Sequence, residues 1–275
     1  MRAGLPWRVA GAGVAAFAGL VLVYLVLPTL VIVPLSFSSA SFLSFPPPGF
    51  SLRWYEAFAA SLDYRLAIAN SLKIGLPAAL LATVLGTLAA LALVRGELRG
   101  RRVLGALVLA PLILPQIILA IGLFPVMARL GIIGSYPAIL LGHTVVCMPL
   151  AFITVAAALR SYPPSYELAA MTLGASRWST FRHVTFPMIR PGVLVGFIFA
   201  FTFSFDELIL AIFLTSPATR TVPRLLWEQL NYQMTPVIAA ATCVLLALTI
   251  ALLLAAALAG RLGRRSATAG AAGTA

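Results

Sequence analysis

Charged residues are scarce in this chain of 275 residues, and their scarcity excludes several classes of protein. Only 9% of the residues are charged and 61% are hydrophobic, whereas about 25% of a soluble globular domain is charged. The composition therefore excludes an ordinary water-soluble enzyme and indicates a protein of the lipid bilayer. Lysine is nearly absent, and the one lysine, Lys73, is followed by isoleucine. A phosphate-binding P-loop needs Gly-Lys-Ser/Thr, so the chain does not bind ATP in that way.

Cysteine and acidic residues are also few. Cys147 and Cys243 both lie in apolar runs, where a free thiol behaves as a small hydrophobic group, so neither a disulfide framework nor a zinc site is expected. The 19 basic residues exceed the 7 acidic ones. They lie between apolar runs, which indicates membrane topology rather than nucleic-acid binding. No residue cluster has metal-ligand spacing and no nucleophile-base pair is evident, so we expect no metal, no cofactor and no catalytic site.

Six apolar stretches are long enough to cross a bilayer, which takes about 20 residues. They cover residues 9–33, 67–94, 103–127, 136–159, 191–214 and 236–260. Their Leu and Ala content, without the alternation of a membrane barrel, predicts an all-α integral membrane fold with six transmembrane helices. Residues 1–265 are expected to form one membrane domain, and residues 266–275, mostly Ala, Gly and Thr, a disordered tail.

The distribution of arginine predicts the orientation of these spans. With the N-terminus in the cytoplasm, thirteen arginines lie on the cytoplasmic side and five on the other, with Lys73 near the outer end of the second span. The positive-inside rule then predicts that both termini are cytoplasmic. The first span is longer than the apolar core of a signal peptide, so we expect it to remain as a helix. The outer loop 36–64 contains Pro46-Pro47-Pro48-Gly49, which cannot lie inside a helix.

The segment 160–190, between the fourth and fifth spans, has an informative pattern. A double proline followed by Ser165 predicts a helix start with Ser165 as the N-cap, and Glu167 falls in the first turn, where the helix dipole favours an anion. Gly174 is expected to end this helix in the left-handed conformation. Ser176 then begins a second short helix that Pro187 terminates. The segment is therefore predicted to form two short helices outside the membrane.

Small and aromatic side chains in this segment could contact another protein. Ala169 and Ala170 would permit a close approach, and Trp178 and Phe181 are apolar anchors of a type enriched at interfaces. An amphipathic connector that rests on lipid headgroups is the alternative, and composition does not distinguish the two.

The spacing resembles the cytoplasmic signature of ABC importer permeases, E-A-A-x3-G-x9-I-x-L-P, which inserts into a cleft of the ATPase subunit. Ala169, Ala170 and Gly174 match it, and Val184-Thr185-Phe186-Pro187 stands at its I-x-L-P end. The acidic position is Leu168 here, with Glu167 one residue earlier. Together with the interface anchors, the resemblance leads us to expect ATPase coupling through Glu167, Ala169, Ala170, Gly174, Ala175, Trp178, Phe181, Val184, Phe186 and Pro187.

The resemblance extends from about residue 70 to residue 258, and it is strongest to the spermidine/putrescine, PotC-like branch of that family. The motifs that carry it are Asn70-Ser71-Leu72, Ser204-Phe205-Asp206-Glu207, Phe213-Leu214-Thr215-Ser216-Pro217, Val222-Pro223 and Ile238-Ala239-Ala240-Ala241-Thr242. It implies a multi-pass permease of the bacterial inner membrane that moves a small amino-bearing solute by alternating access. It also implies two ABC ATPase subunits that bind the ATP, a second and different permease subunit, and an extracytoplasmic substrate-binding protein.

Asp206 and Glu207 are the acidic residues inside the predicted spans. Asp206 lies 15 residues into the fifth span, about 22 Å along a helix, where a carboxylate costs about 2.5–3.5 kcal/mol unless it faces a protein cavity. Asp206 shares a helix face with Thr202, which predicts a substrate pathway, whereas Glu207 follows an apolar face and has a less defined role. Alternatively, both residues mark the hydrated end of a shorter helix.

Two further positions carry weaker signals. Pro111 and Pro115 should bend the third span, and Gln116 directly after them could bind substrate, although the polyamine branch often has an acidic residue there. His143 is expected to form a hydrogen bond between helices rather than to relay protons.

A proton-coupled secondary transporter that uses Asp206 or Glu207 remains the alternative, and the patterned cytoplasmic segment would then have no role.

Overall fold

The computed structural model describes residues 5–232, 234–251 and 254, with side chains from residue 13 onward. Regular structure within these residues is almost entirely helical. The α-helices are α1 (Leu5–Ser36), α2 (Arg53–Ala60), α3 (Leu62–Val94), α4 (Arg101–Ile113), α5 (Gln116–Arg129), α6 (Tyr136–Arg160), α7 (Ser165–Thr172), α8 (Arg177–Thr180), α9 (Phe186–Asp206), α10 (Ile209–Leu214), α11 (Val222–Tyr232) and α12 (Val237–Ala251). A π-helical segment (Phe181–Thr185) joins α8 to α9, and a 3₁₀ turn covers Pro217–Thr219.

The all-α membrane fold is confirmed, whereas the count of six spans is not. By length and composition, four of the described helices can cross a membrane: Gly13–Ser36 within α1, α3, α6, and a continuous helix from Arg177 to Asp206. The bent pair of α4 and α5 makes a fifth if it is taken as one span. The sixth predicted stretch, 236–260, is represented by α12. Residues 252, 253 and 255–260 of that stretch, like the predicted tail, lie outside the described residues.

The third predicted span is broken rather than continuous. The axes of α4 and α5 differ by 104° across Leu114 and Pro115, so a single helix over 103–127 is wrong, while the bend expected from the prolines is confirmed. Pro115 has extended backbone angles, φ −55° and ψ 128°. Because proline also has no backbone N–H to donate, the α-helical hydrogen bonds stop here and resume in α5.

The fifth span also differs from its prediction of 191–214. The helix begins at Arg177, passes through Pro187 and ends at Asp206, after which α10 forms a separate helix. Pro187 therefore does not terminate the second short helix. The preceding π turn, in which the Phe186 N–H donates to the Phe181 carbonyl, is wider than an α turn and leaves room for the proline ring.

The chain divides into two compact units. Of the described residues, the first contains 5–61, 229–232 and 234–247. After α1, its loop closes on itself through an antiparallel bridge between Ser38 and Phe50, and the Ser36 hydroxyl lies 2.7 Å from the Tyr55 hydroxyl. The triple-proline segment is not helical, as predicted.

Of the described residues, the second unit contains 62–228, 248–251 and 254, and α3, α6 and α9 form its core. Small residues permit close helix contacts. A Cβ on Gly86 of α3 would lie 2.8 Å from the Phe152 nitrogen of α6, and one on Gly192 of α9 would lie 2.6 Å from Ala158. Such close approach is typical of helices that associate in membranes. At one end of this unit, the C-termini of α3 and α6 lie beside α7; we call this the loop end, and the other the far end.

Candidate functional site

The helix α7 is the first of the two short helices predicted in the segment 160–190. It starts at Ser165 with Pro164 in the N-cap position and no side-chain cap, so the prediction of Ser165 as the N-cap is wrong. The φ of −60° at Pro164 already suits a helical turn, and its carbonyl accepts the Glu167 N–H at 3.1 Å. Glu167 lies in the first turn, as predicted.

The glycine turn after α7 also agrees with its prediction. Gly174 has φ +89°, a value that glycine adopts without steric cost. The Ala175 N–H donates to the Ala170 carbonyl at 3.1 Å, and the Gly174 N–H donates to the Met171 carbonyl at 3.0 Å. This pair of hydrogen bonds is the Schellman motif. The Ser176 hydroxyl accepts the Ser179 N–H at 3.2 Å and caps α8.

The Glu167 carboxylate is directed into the protein. Its Oε1 atom accepts hydrogen bonds from the Arg95 Nε (3.3 Å), the Tyr162 hydroxyl (2.7 Å) and the Thr185 hydroxyl (3.0 Å). Arg95 also donates to the carbonyls of Leu159 (2.8 Å) and Tyr162 (3.1 Å). Burial, together with the hydrogen bond to Glu167, raises the pKa of Tyr162, so the phenol keeps the proton that it donates. One carboxylate thus connects α7 to the ends of α3 and α6 and to the π-helical segment.

The outer side of this segment exposes large apolar groups. Leu168, Leu173 and Trp178 are 59%, 90% and 69% exposed, and Ala169 is exposed beside them. Trp178 stacks on Phe181 with ring centroids 5.5 Å apart. The other residues assigned to coupling divide into half-buried Ala170, Ala175, Phe181 and Val184, and exposed Phe186 and Pro187. Sequence reasoning missed the inward partners Arg95, Tyr162 and Thr185.

The two membrane carboxylates have different environments. Asp206 is the last residue of α9 and is exposed, so it does not lie within a continuous span. Glu207 has extended backbone and is only 4% exposed. Its carboxylate accepts the N–H groups of Leu210 (2.9 Å) and Ala211 (3.3 Å), which caps the first turn of α10. The alternative of two hydrated carboxylates is therefore wrong for Glu207.

His143 connects α6 to the break after α9. Its Nδ1 lies 2.7 Å from the Ser204 hydroxyl, which confirms the predicted hydrogen bond between helices. Its Nε2 lies 3.6 Å from Glu207 Oε2, and both side chains are almost fully buried. His143, Ser204 and Glu207 therefore form a polar cluster that supports the break.

The remaining pathway candidates are not joined directly. Thr202 is half-buried one helical turn before Asp206, and Gln116 is a half-buried residue at the start of α5. Within the part of the chain that the structure describes, no hydrogen bond or ion pair links Asp206, Thr202 and Gln116. A substrate pathway that includes these three residues must therefore also be lined by other residues.

The far end contains a second network, which unites two of the sequence motifs. The Asn70 Nδ2 donates to the carbonyls of Ala218 and Arg220, both at 3.0 Å, and the Tyr136 hydroxyl donates to the Asn70 Oδ1 at 2.7 Å. The next residue, Ser71, accepts the Val222 N–H at 2.9 Å. The Asn-Ser pair of α3 thus holds the start of α11, a connection that spacing alone did not indicate.

Comparisons with known proteins agree with this architecture. Residues 82–264 match the family model described as "Binding-protein-dependent transport system inner membrane component". The putrescine transport system permease protein PotI of Escherichia coli K12 is 33% identical over 248 residues, covering 88% of this chain and 86% of that protein. The spermidine/putrescine transport system permease protein PotC of the same strain is 28% identical over 238 residues, covering 86% and 90%.

A solved structure shows the same fold. The crystal structure of a bacterial alginate ABC transporter, in complex with an alginate pentasaccharide-bound periplasmic protein, includes a chain that matches with a TM-score of 0.71 and 17% identity. The match covers 93% of this chain and 96% of that one. At this identity the match concerns the fold alone. The family is a transport component rather than a catalytic enzyme, and the proton-coupled alternative is not favoured. The chain belongs to the binding-protein-dependent transport system inner membrane components, the permease subunits of ABC importers.

Proposed function

We propose that the chain pairs with a second, different permease to import a putrescine- or spermidine-like polyamine by alternating access, driven by two ABC ATPase subunits. The observation that carries this proposal is the arrangement of α7, whose carboxylate is bonded inward while its apolar side chains face outward. No ATP site of its own is proposed, since the partner ATPases bind the nucleotide.

The inward contacts attach α7 firmly to the core helices of the second unit. Glu167 bonds to Arg95 after α3, to Tyr162 after α6 and to Thr185 before α9. A force on α7 therefore reaches three core helices of the second unit together. Hydrogen bonds to a charged group contribute about 1.5–3 kcal/mol each, which is strong enough for α7 to move with these helices rather than apart from them.

The outward contacts supply the surface on which we place the ATPase. Leu168 and Trp178 are exposed apolar groups, and the small side chain of Ala169 is exposed in the same segment. Large anchors around a small residue permit both burial and close approach, as in many protein interfaces. Leu168 stands at the position where the family pattern has an acidic residue. The carboxylate of this chain is one residue earlier, at Glu167, and forms hydrogen bonds inside the protein.

The names of the relatives and the position of Asp206 support a cationic substrate. PotI is a putrescine permease and PotC a spermidine/putrescine permease. Asp206 is exposed at a helix break, where it can attract an ammonium group, whereas Glu207 is engaged with the backbone of α10. We therefore assign the pathway to Asp206, with Thr202 one turn away and Gln116 as a further candidate, and give Glu207 a supporting role.

The distribution of arginine supports a location in the bacterial inner membrane with both termini and α7 in the cytoplasm. The far end would then face a substrate-binding protein. The alginate transporter structure, which was solved with a periplasmic protein bound, supports such a partner.

Uptake by the reconstituted transporter tests the proposal. The full chain is expressed with its partner subunits, purified and placed in liposomes, and ATP-dependent uptake of labelled putrescine and spermidine is measured. Asp206→Asn should reduce uptake about tenfold, equivalent to the loss of about 1.4 kcal/mol of charge attraction, with assembly unchanged. Glu56→Gln is the matched control, because Glu56 is an exposed carboxylate of α2.

Two results would count against the proposal. Unchanged uptake by the Asp206 variant at equal abundance in the membrane would remove Asp206 from the pathway. Purification of the chain without an ATPase, with uptake driven by a proton gradient, would refute the importer itself.

A further inference from the structure

A cleft of about 1040 Å³ opens at the loop end of the second unit, between the start of α4 and the last turns of α3 and α6. Its lining is divided by chemistry. The basic residues are Arg95, Arg101, Arg102 and Arg160, and the apolar and small residues include Leu93, Val94, Gly105, Ala106, Leu109 and Phe152. The transport function proposed above does not use this cleft.

Three of the arginines have no anionic partner in the described structure. Arg101 and Arg102 are the first two residues of α4, whose first turn has no acidic residue, and Arg160 is the last residue of α6. None of the three forms an ion pair or side-chain hydrogen bond within the described residues. Arg95, by contrast, already binds Glu167.

Arg101 and Arg102 are exposed, and both lie where the helix dipole disfavours positive charge. The N-terminus of a helix carries partial positive charge and favours negative groups. Two guanidinium groups in the first turn of α4, with a third from α6 lining the same cleft, concentrate positive charge at one place. An anionic ligand would satisfy these groups together.

The apolar half of the cleft indicates what else the ligand contains. Leu109 and Phe152 line the space beside the arginines, and a Cβ on Gly105 would meet no atom within 4 Å. A free inorganic anion would leave this apolar surface in contact with water. Because α3 and α6 are spanning helices that end here, the cleft lies where a bilayer changes from headgroups to acyl chains.

We propose that the cleft binds an anionic phospholipid of the cytoplasmic leaflet. Its phosphate lies against Arg101, Arg102 and Arg160, and an acyl chain follows Leu109 and Phe152. Basic pockets between helices at this depth suit anionic headgroups. Since Arg95 lines the cleft and also binds Glu167, the bound lipid would stabilise the base of α7.

Native mass spectrometry of the full chain with its partner subunits, purified with phosphatidylglycerol or with phosphatidylcholine, tests this assignment. The wild type should retain phosphatidylglycerol and not phosphatidylcholine. Arg101→Gln with Arg102→Gln should lower phosphatidylglycerol retention about thirtyfold, from about 1 kcal/mol per basic residue. Arg99→Gln with Arg190→Gln removes the same charge outside the cleft lining and should leave retention unchanged.

A second variant separates filling of the cleft from loss of charge. Gly105→Leu should occupy the apolar half, keep all four arginines and still displace the lipid. Equal loss in the two double variants would overturn the proposal, as would full retention in the Gly105 variant. If excess inorganic phosphate displaces the lipid from the wild type, the cleft is a site for a free anion. If the Arg101/Arg102 double variant loses the ATPase but retains the lipid, the cleft is a protein-docking surface. Either result would overturn the lipid assignment.

Discussion

The replacement of Glu167 by alanine should loosen α7 without unfolding the membrane core. The change removes the one acceptor shared by Arg95, Tyr162 and Thr185. Arg95 keeps its two carbonyl partners, at 2.8 and 3.1 Å, so its charge remains partly satisfied. The Tyr162 and Thr185 hydroxyls lose this acceptor and must find water.

The magnitude follows from these three contacts. Hydrogen bonds to charged groups contribute about 1.5–3 kcal/mol each, but contacts in one network do not add fully. Because the three contacts share one carboxylate, we expect Glu167→Ala to weaken the attachment of α7 by about 3 kcal/mol, which is less than the sum of three separate hydrogen bonds. At 1.36 kcal/mol per factor of ten, α7 should then open more than about 100 times as often.

Hydrogen-deuterium exchange of the amides of α7 measures this opening directly. Exchange at residues 168–173 should accelerate about 100-fold in the Glu167→Ala variant, while exchange within α3 and α6 stays unchanged. Leu168→Ala is the control, because the neighbouring side chain of Leu168 is 59% exposed and its removal should leave exchange almost unaltered. If both variants exchange like the wild type, the inward network does not hold α7 against α3, α6 and the π-helical segment.

Three further predictions concern the turn, the orientation and the helix break. Gly174→Asp places a charged side chain on a backbone with φ +89°, at a cost of about 1–3 kcal/mol. The variant should insert normally into the membrane but lose ATPase co-purification and transport, and wild-type uptake would contradict the docking assignment. A cysteine at Ser51 should react with an impermeant maleimide added outside, and one at Ser176 only after the membrane is opened; reversed labelling would invert the topology. Glu207→Ala removes the cap of α10 and should destabilise the second unit by about 1 kcal/mol, measured as a lower melting temperature. Glu207→Gln retains an oxygen acceptor and should lower the melting temperature less; equal melting temperatures of the two variants would exclude the capping role.

Local chemistry explains which features the sequence alone determined. The length of the apolar runs decides the membrane class, because backbone polar groups in lipid must be paired within a helix. The φ angle at Gly174 and the bend before Gln116 follow from the properties of one glycine and one proline, which act within a turn of the chain. The helix through Pro187 was mispredicted because a π turn, which has no clear sequence signal, makes room for the ring.

Only the tertiary structure decided how the acidic residues are used. Glu167 meets Arg95, which lies 72 residues earlier, and Thr185, which lies 18 residues later; no periodicity links these positions. Asp206 and Glu207 are adjacent in sequence, yet one is exposed and the other is buried beside His143. Whether a carboxylate faces solvent or a neighbouring helix depends on where α9 ends and what packs there, and both are set by contacts between segments that lie far apart in the chain.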